Sequence, residues 1–246
     1  ETDIGLIPCA VAGSKIRDWL SGGDNKAMKD TLANVQDAMK NGGVLKGILW
    51  HQGEDDCTPQ NAPGYGKDLE KMVDQIRKSV GDPDLPFLVG QMSPEGLNSR
   101  EKQMVNDAHK NLPNRVPNCA FVAATELQSA GPRDVDHFSP DSYRELGERF
   151  ADKYLDLVSP KKSTESPLIP SSDGQKATKD DTPERLEDAP VQLSPHGLMK
   201  TYPASYMTLP TTGSKVPEKE GPVHIFILAG GSNMVGHGPV SKSDQE

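Results

Sequence analysis

Aromatic side chains are scarce in this chain, at 5% of 246 residues, and only 34% of the residues are hydrophobic, which is lean for a polypeptide packed from end to end. Part of the chain is therefore expected to lie outside the core. Basic residues are outnumbered as well: 27 Lys and Arg stand against 36 Asp and Glu, a net charge of −9. Phosphate binding needs clustered cations, so this balance argues against a nucleic-acid partner and gives no support to a basic membrane-surface role. Long apolar runs are missing too. The longest, around Ile225 to Gly231, is far short of the roughly 20 residues that a membrane-spanning helix needs. Cysteine is rare: Cys9, Cys57 and Cys119 are too few and too scattered for a disulfide framework, and no pair has zinc-knuckle spacing. They are expected to be isolated thiols, with a single bridge left open. No charged segment followed by an apolar stretch stands at Glu1, so a secretory leader is expected to have been removed or never present, and the compartment stays open.

From Ile4 to Val158 short apolar runs alternate with amphipathic stretches, the signature of repeated β-α units around a mainly parallel sheet. Strands are expected at Ile4–Val11, Val44–Trp50, Phe87–Met92 and Ala120–Ala124. Met28, Leu32, Val35 and Met39 recur at helical spacing between Asp24, placed to cap, and Gly42-Gly43. Tyr65, Leu69, Met72, Ile76 and Val80 make a second stripe, ended by Gly81 and Pro83, and a third helix is expected over Ser99 to Leu112. The fourth carries Tyr143, Leu146, Phe150, Tyr154 and Leu157, entered through Ser139 as N-cap and Pro140 at the first helical position.

Beyond this body the composition changes. Ten of the 21 prolines fall between residues 160 and 222, amid Ser, Thr, Lys and Asp, so 159–221 reads as an extended linker that buries too little apolar surface to order itself. Within it, 191–209 is apolar enough to dock on a surface. Val223-His-Ile-Phe-Ile-Leu-Ala then reads as a buried strand. The expected organisation is a main body at 1–158, the linker, and a strand and turn at 222–246 that complete the same domain.

Three clusters carry chemistry. The first is Gly230-Gly-Ser-Asn-Met234: a strand that ends in glycines before a serine lets a hydroxyl stand clear at the edge of a sheet, although such a string by itself is most often only a turn. The second is Asp134-Val-Asp-His-Phe-Ser139, a loop in which a carboxylate three residues before a histidine can fold back onto the imidazole and fix its tautomer. A solvated acidic loop is the plainer reading of it. The third is Trp50-His-Gln-Gly-Glu54, at the carboxyl end of a strand, where open α/β sheets place their ligands. The Gln52 amide and the Gly13 N–H are candidate donors to an oxyanion, while His51, Glu54 and Asp56 are equally readable as metal ligands or loop charges.

Taken together, these blocks and Gly5-Leu-Ile-Pro-Cys-Ala-Val-Ala-Gly-Ser14 resemble the SGNH hydrolases, and within them the sialate O-acetylesterase and carbohydrate esterase family 6 group. The resemblance covers Ile4 to Val158 and Val223 to Gly238. It implies a three-layer α/β/α fold and a serine esterase that removes O-acetyl groups from carbohydrate through an acyl-enzyme, with no metal or organic cofactor. Ser232 would be the nucleophile, His137 the base and then acid, and Asp134, rather than Asp136, its orienting partner. The amides of Ser232 and Gly13 with the Gln52 side chain would form the oxyanion hole, and His51, Glu54, Asn233 and Met234 would touch substrate. An acetylated sugar or polysaccharide is the implied partner, and an extracellular setting agrees with the family.

The sequence departs from the family in three places. Position 231 is Gly where the family carries Gln before the nucleophile, and Ala12 stands where the first Gly of a pair is common. The nucleophile strand also comes last instead of first, as in a circular permutant or in a window across tandem copies. The permutant is preferred, because a domain without that strand would expose a buried sheet edge. Two rivals remain at this point: a carbohydrate-binding relative that has lost turnover through Gly231, and a metal-dependent hydrolase using His51, Glu54, Asp136 and His137.

Overall fold

The computed structural model describes residues 3–20, 26–159 and 223–231. The expected cap Asp24 and the segment assigned as linker, from residue 160 on, lie outside the described residues. A five-stranded, fully parallel sheet runs in the order β1 (Ile4–Pro8), β7 (Val223–Gly230), β2 (Gly43–His51), β3 (Phe87–Gly90), β4 (Cys119–Val122). Helices α1 (Lys26–Lys40), α2 (Ala62–Val80) and α3 (Arg100–Asn111) supply the core on one face, and α4 (Pro140–Val158) supplies it on the other. The parallel sheet is the one expected from the alternation of apolar runs, and the three-layer α/β/α arrangement is the one the family resemblance implies.

Local chemistry accounts for the helix boundaries. Ser99 Oγ accepts from the Lys102 amide at 3.2 Å to start α3, and Ser139 Oγ accepts from the Ser142 amide at 3.3 Å to start α4, each satisfying one otherwise unpaired N–H of a first turn. Helix α2 ends on Gly81 at φ +75°, a left-handed conformation that any Cβ would strain. In the last turn before it, the buried Arg77 guanidinium donates to the carbonyls of Leu85 (2.8 Å) and Asn118 (3.0 Å), so one cation closes the two loops that lead into β3 and β4.

Strand β7 decides the architecture. Helix α1 joins β1 to β2, which are not neighbours, and β7 fills the position between them: Leu6 stands opposite Phe226, and Ile227 opposite Ile48. Ile225, Ile227 and Ala229 point into the core shared with α1 and α2, whereas Phe226 meets the Tyr154 ring of α4 at 4.9 Å. Burying each Ile side chain stabilises the strand by roughly 1.5–3 kcal/mol.

The strands expected at Phe87–Met92 and Ala120–Ala124 run Phe87–Gly90 and Cys119–Val122, and two further boundaries differ from the sequence pattern. The first strand is shorter than Ile4–Val11, although the Cys9 and Val11 amides still donate to Leu228 and Gly230 carbonyls. The second begins at Gly43, which closes no helix but leads the strand. A third difference concerns chemistry: Asp134–Phe138 is no loop but β6, paired antiparallel with β5 (Ser129–Gly131) in a small separate hairpin. Only Phe138 of β6 is buried, so the strand has too little apolar alternation to announce itself in the sequence. The three cysteines are all free thiols. Among the described residues no helix is long and apolar enough to cross a membrane.

Candidate active site

The conspicuous side chains gather at the carboxyl edge of the sheet. Strand β7 ends there on Gly230 and Gly231, bound on both flanks. The Gly231 amide donates to the His51 carbonyl at 2.8 Å, and the Val11 amide donates to the Gly230 carbonyl at 2.9 Å. Gly230 has φ +133°, and a Cβ on it would lie 2.0 Å from the His51 oxygen, so this turn requires glycine. Gly231 differs: a Cβ there would meet nothing nearer than Gln52 Cγ at 3.6 Å. Ser232, Asn233 and Met234 lie outside the described residues.

The β5–β6 hairpin carries the acid and the imidazole. His137 Nδ1 and Asp134 Oδ1 are 2.7 Å apart, and the same oxygen accepts the His137 amide at 3.3 Å. An ionised carboxylate only accepts, so this contact puts the imidazole proton on Nδ1 and the lone pair on Nε2. Asp136 is committed elsewhere: Lys102 Nζ lies 2.5 Å from its Oδ1, so of the two neighbouring carboxylates Asp134 is the one on the ring. The hairpin is held by Glu95, whose carboxylate accepts the Ser129 hydroxyl at 2.6 Å and the Ser129 amide at 3.3 Å; these bonds hold the Glu95 carboxyl below the usual range.

His51 links the hairpin to the glycine turn. Its carbonyl binds Gly231, and its ring meets the Phe138 ring edge-on at 5.7 Å, one residue from His137. The ring itself is buried, with Nε2 donating to the Gln91 carbonyl at 2.9 Å and Nδ1 3.8 Å from Glu54 Oε1. The sequence reading assigns His51 to the substrate; the structure places its side chain at 1% exposure, between Phe138 and the Gln91 carbonyl. The side chains named for a metal do not converge either. Among the described residues no three His, Cys, Asp or Glu side chains take up a metal-holding arrangement.

Gln52 is the second buried residue of this block. Its Nε2 donates to the Ser14 carbonyl at 2.9 Å and to Asp56 Oδ2 at 2.7 Å, which engages both amide hydrogens. To serve an oxyanion, as the sequence suggests, Gln52 must exchange the Ser14 carbonyl for the ester oxygen. Asp56 also accepts the Ile16 amide at 2.7 Å, and burial raises its pKa above the ordinary carboxylate value despite these donors. Together they pin the loop around Gly13, which adopts φ +71° and is exposed. A depression of about 320 Å³ beside this loop is lined by Val11, Gly13, Asp18, Lys26 and Asp30 among others.

Beneath Gln52 lie two residues that the sequence did not single out for chemistry. Tyr65 read as one apolar position in a helical stripe, and His109 carried no signal at all. Both are fully buried, and Tyr65 Oη is 2.8 Å from His109 Nε2. Burial lowers the His109 pKa to about 3, with the nearby His51 a smaller cause. The unfolded chain binds this proton near pH 6.5 and the folded chain only near 3, so stability that is complete above pH 6.5 is lost as pH falls through that window. The full loss is on the order of 5 kcal/mol. Urea denaturation of the parent and His109→Gln at pH 7 and pH 4.5 is expected to show the parent losing about 2 kcal/mol more on acidification; parallel losses would refute it.

Residues 1–156 match the family model described as carbohydrate esterase, sialic acid-specific acetylesterase. A probable carbohydrate esterase of Arabidopsis thaliana is 33% identical over 92 residues, 36% of this chain and 35% of its own length. The crystal structure of that Arabidopsis protein superposes with a TM-score of 0.56 at 27% identity, covering 62% of this chain and 61% of its own. A carbohydrate acetylesterase from Xanthomonas citri matches at 21% identity and a TM-score of 0.46, covering 59% and 35%. The chain thus spans about a third of the curated relative and three fifths of the solved one. With the family model matched across more than half of its length, this chain belongs to the carbohydrate esterase, sialic acid-specific acetylesterase family.

Proposed function

We propose that the chain is a serine esterase that removes O-acetyl groups from carbohydrate. The observation that carries the reading is the 2.7 Å contact between His137 Nδ1 and Asp134 at the carboxyl edge of the sheet that β7 enters. Ser232, the residue after Gly231, attacks the acetyl carbonyl while its proton passes to His137 Nε2. The amides of Ser232 and Gly13 receive the oxyanion, joined by Gln52 Nε2 when it leaves the Ser14 carbonyl. Collapse of the tetrahedral species expels the sugar hydroxyl, which takes the proton from His137 and leaves an acetyl ester on Ser232. Water, deprotonated by His137, then releases acetate and restores the serine. Asp134 holds the imidazole and offsets its transient positive charge.

Glu54, with Asn233 and Met234, is assigned to the sugar side of the cleft. The reading takes 1–158 and 222–246 as one domain bridged by 159–221, in permuted order; the pairing of β7 with both β1 and β2 supports it. A fluorophosphonate probe tests the nucleophile. Labelling of the intact chain that vanishes in Ser232→Ala is expected, together with acetate release from an acetylated xylan or an O-acetylated sialic acid. Absence of labelling in the intact chain would favour a sugar-binding protein without turnover.

A further inference from the structure

The Gln52 side chain is more tightly held than a donor of one hydrogen bond needs to be. Its Nε2 end faces the Ser14 carbonyl and Asp56, and its Oε1 end faces the Tyr65 hydroxyl at 3.0 Å. Tyr65 Oη is also 3.0 Å from the Gln52 carbonyl, 2.8 Å from His109 Nε2 and 3.4 Å from Trp50 Nε1. A phenol has one proton to give. The Trp50 N–H only donates, and His109, whose Nδ1 has no partner, carries its proton on Nε2, which faces both Tyr65 and the Gln52 carbonyl; the Tyr65 proton is thereby left for Gln52 Oε1. That tautomer leaves His109 Nδ1 as a bare lone pair. The direction of the chain is therefore set: His109 N–H to Tyr65, Tyr65 O–H to Gln52, Gln52 N–H to Ser14 and Asp56.

We infer that Tyr65, backed by His109, is a positioning residue that keeps the amide nitrogen of Gln52 turned toward the loop of Gly13 and Ser14. When the ester oxygen replaces the Ser14 carbonyl, Gln52 loses one of its anchors, and the phenol behind Oε1 keeps the nitrogen aimed. This inference rests on the esterase reading for its kinetic consequence, while its structural content stands apart from it. The sheet places Gln52 one residue past the end of β2, and α2 and α3 bring Tyr65 and His109 beneath it. Preorganised donors act on developing charge, so a loosened Gln52 should cost turnover and leave substrate binding alone.

The test uses the full chain. In ¹⁵N spectra the Gln52 side-chain amide pair, identified by its disappearance in Gln52→Leu, should exchange slowly with solvent in the parent and rapidly in Tyr65→Phe. Turnover of 4-nitrophenyl acetate by Tyr65→Phe should fall in kcat by about tenfold, with KM unchanged. An unmoved amide pair, or an unaltered kcat in an active parent, overturns the inference. Should the parent hydrolyse no ester and resist the serine probe, the esterase reading fails, and the amide pair still decides whether Tyr65 positions Gln52. If Tyr65→Phe does not fold, His109→Leu and His109→Gln replace it. The leucine variant should free the amide pair and the glutamine variant, which keeps a donor behind the phenol, should restore it; identical behaviour of the two overturns the inference.

Discussion

His137→Ala is expected to lower turnover of 4-nitrophenyl acetate by about 10⁴-fold or more, because the serine hydroxyl then has no base to take its proton and the leaving alcohol no acid to supply one. The fold should survive the change. His137 is half-buried on a two-stranded hairpin outside the main sheet, and the hairpin is held independently by Glu95 through Ser129. Asp134→Asn should follow at a loss of about 10²–10⁴, since an amide in place of the carboxylate cannot stabilise the imidazolium and can present the wrong group to Nδ1. Asp136→Asn should cost far less, its partner being Lys102 and not the ring. Initial rates, with unfolding midpoints as controls, check all three. Near-parental rates in His137→Ala, or an Asp136 variant as impaired as the Asp134 one, would defeat the assignment.

The second large effect is expected at adjacent glycines that behave as opposites. Gly230→Ala places a methyl 2.0 Å from the His51 carbonyl oxygen at φ +133°, so either the β7–β2 pairing at His51 and Gly230 opens or the backbone strains. The combined penalty is roughly 3 kcal/mol or more, and the serine that follows should lose its activity. Gly231→Gln, which restores the residue usual in the related esterases, should be accepted. Its Cβ sits at ordinary contact distance from Gln52 Cγ and its backbone is not left-handed. Its stability should stay within about 1 kcal/mol of the parent, with turnover no lower. Urea denaturation and ester kinetics on the two variants separate these outcomes. Equal destabilisation by both would mean that the turn is shaped otherwise.

Much of this was legible from residue patterns because those patterns report burial, and burial decides where helices and strands can lie. The stripe from Tyr65 to Val80 became α2, and the β-branched run from Val223 became a strand flanked on both sides. The D-x-x-H spacing foretold the contact between Asp134 and His137, since residues three apart need only a local bend to meet. The hairpin that supplies this bend was not legible. Its second strand buries only Phe138, so it shows no apolar alternation, and the Glu95 carboxylate that binds Ser129 stands 34 positions away, out of reach of local composition.

By itself, then, the sequence determined the order of helices and strands along the body of the chain, turns such as the one at Gly81, and the residue types able to run ester chemistry. These follow from side-chain size, backbone freedom and charge, which each residue carries wherever it stands. Only the tertiary structure decided that β7 lies between β1 and β2, that the His51 ring is buried, and that Tyr65 and His109 converge under Gln52. A hydrogen bond needs its partners within about 3 Å, and residues 13 and 44 positions apart reach that distance only after the sheet has closed around them.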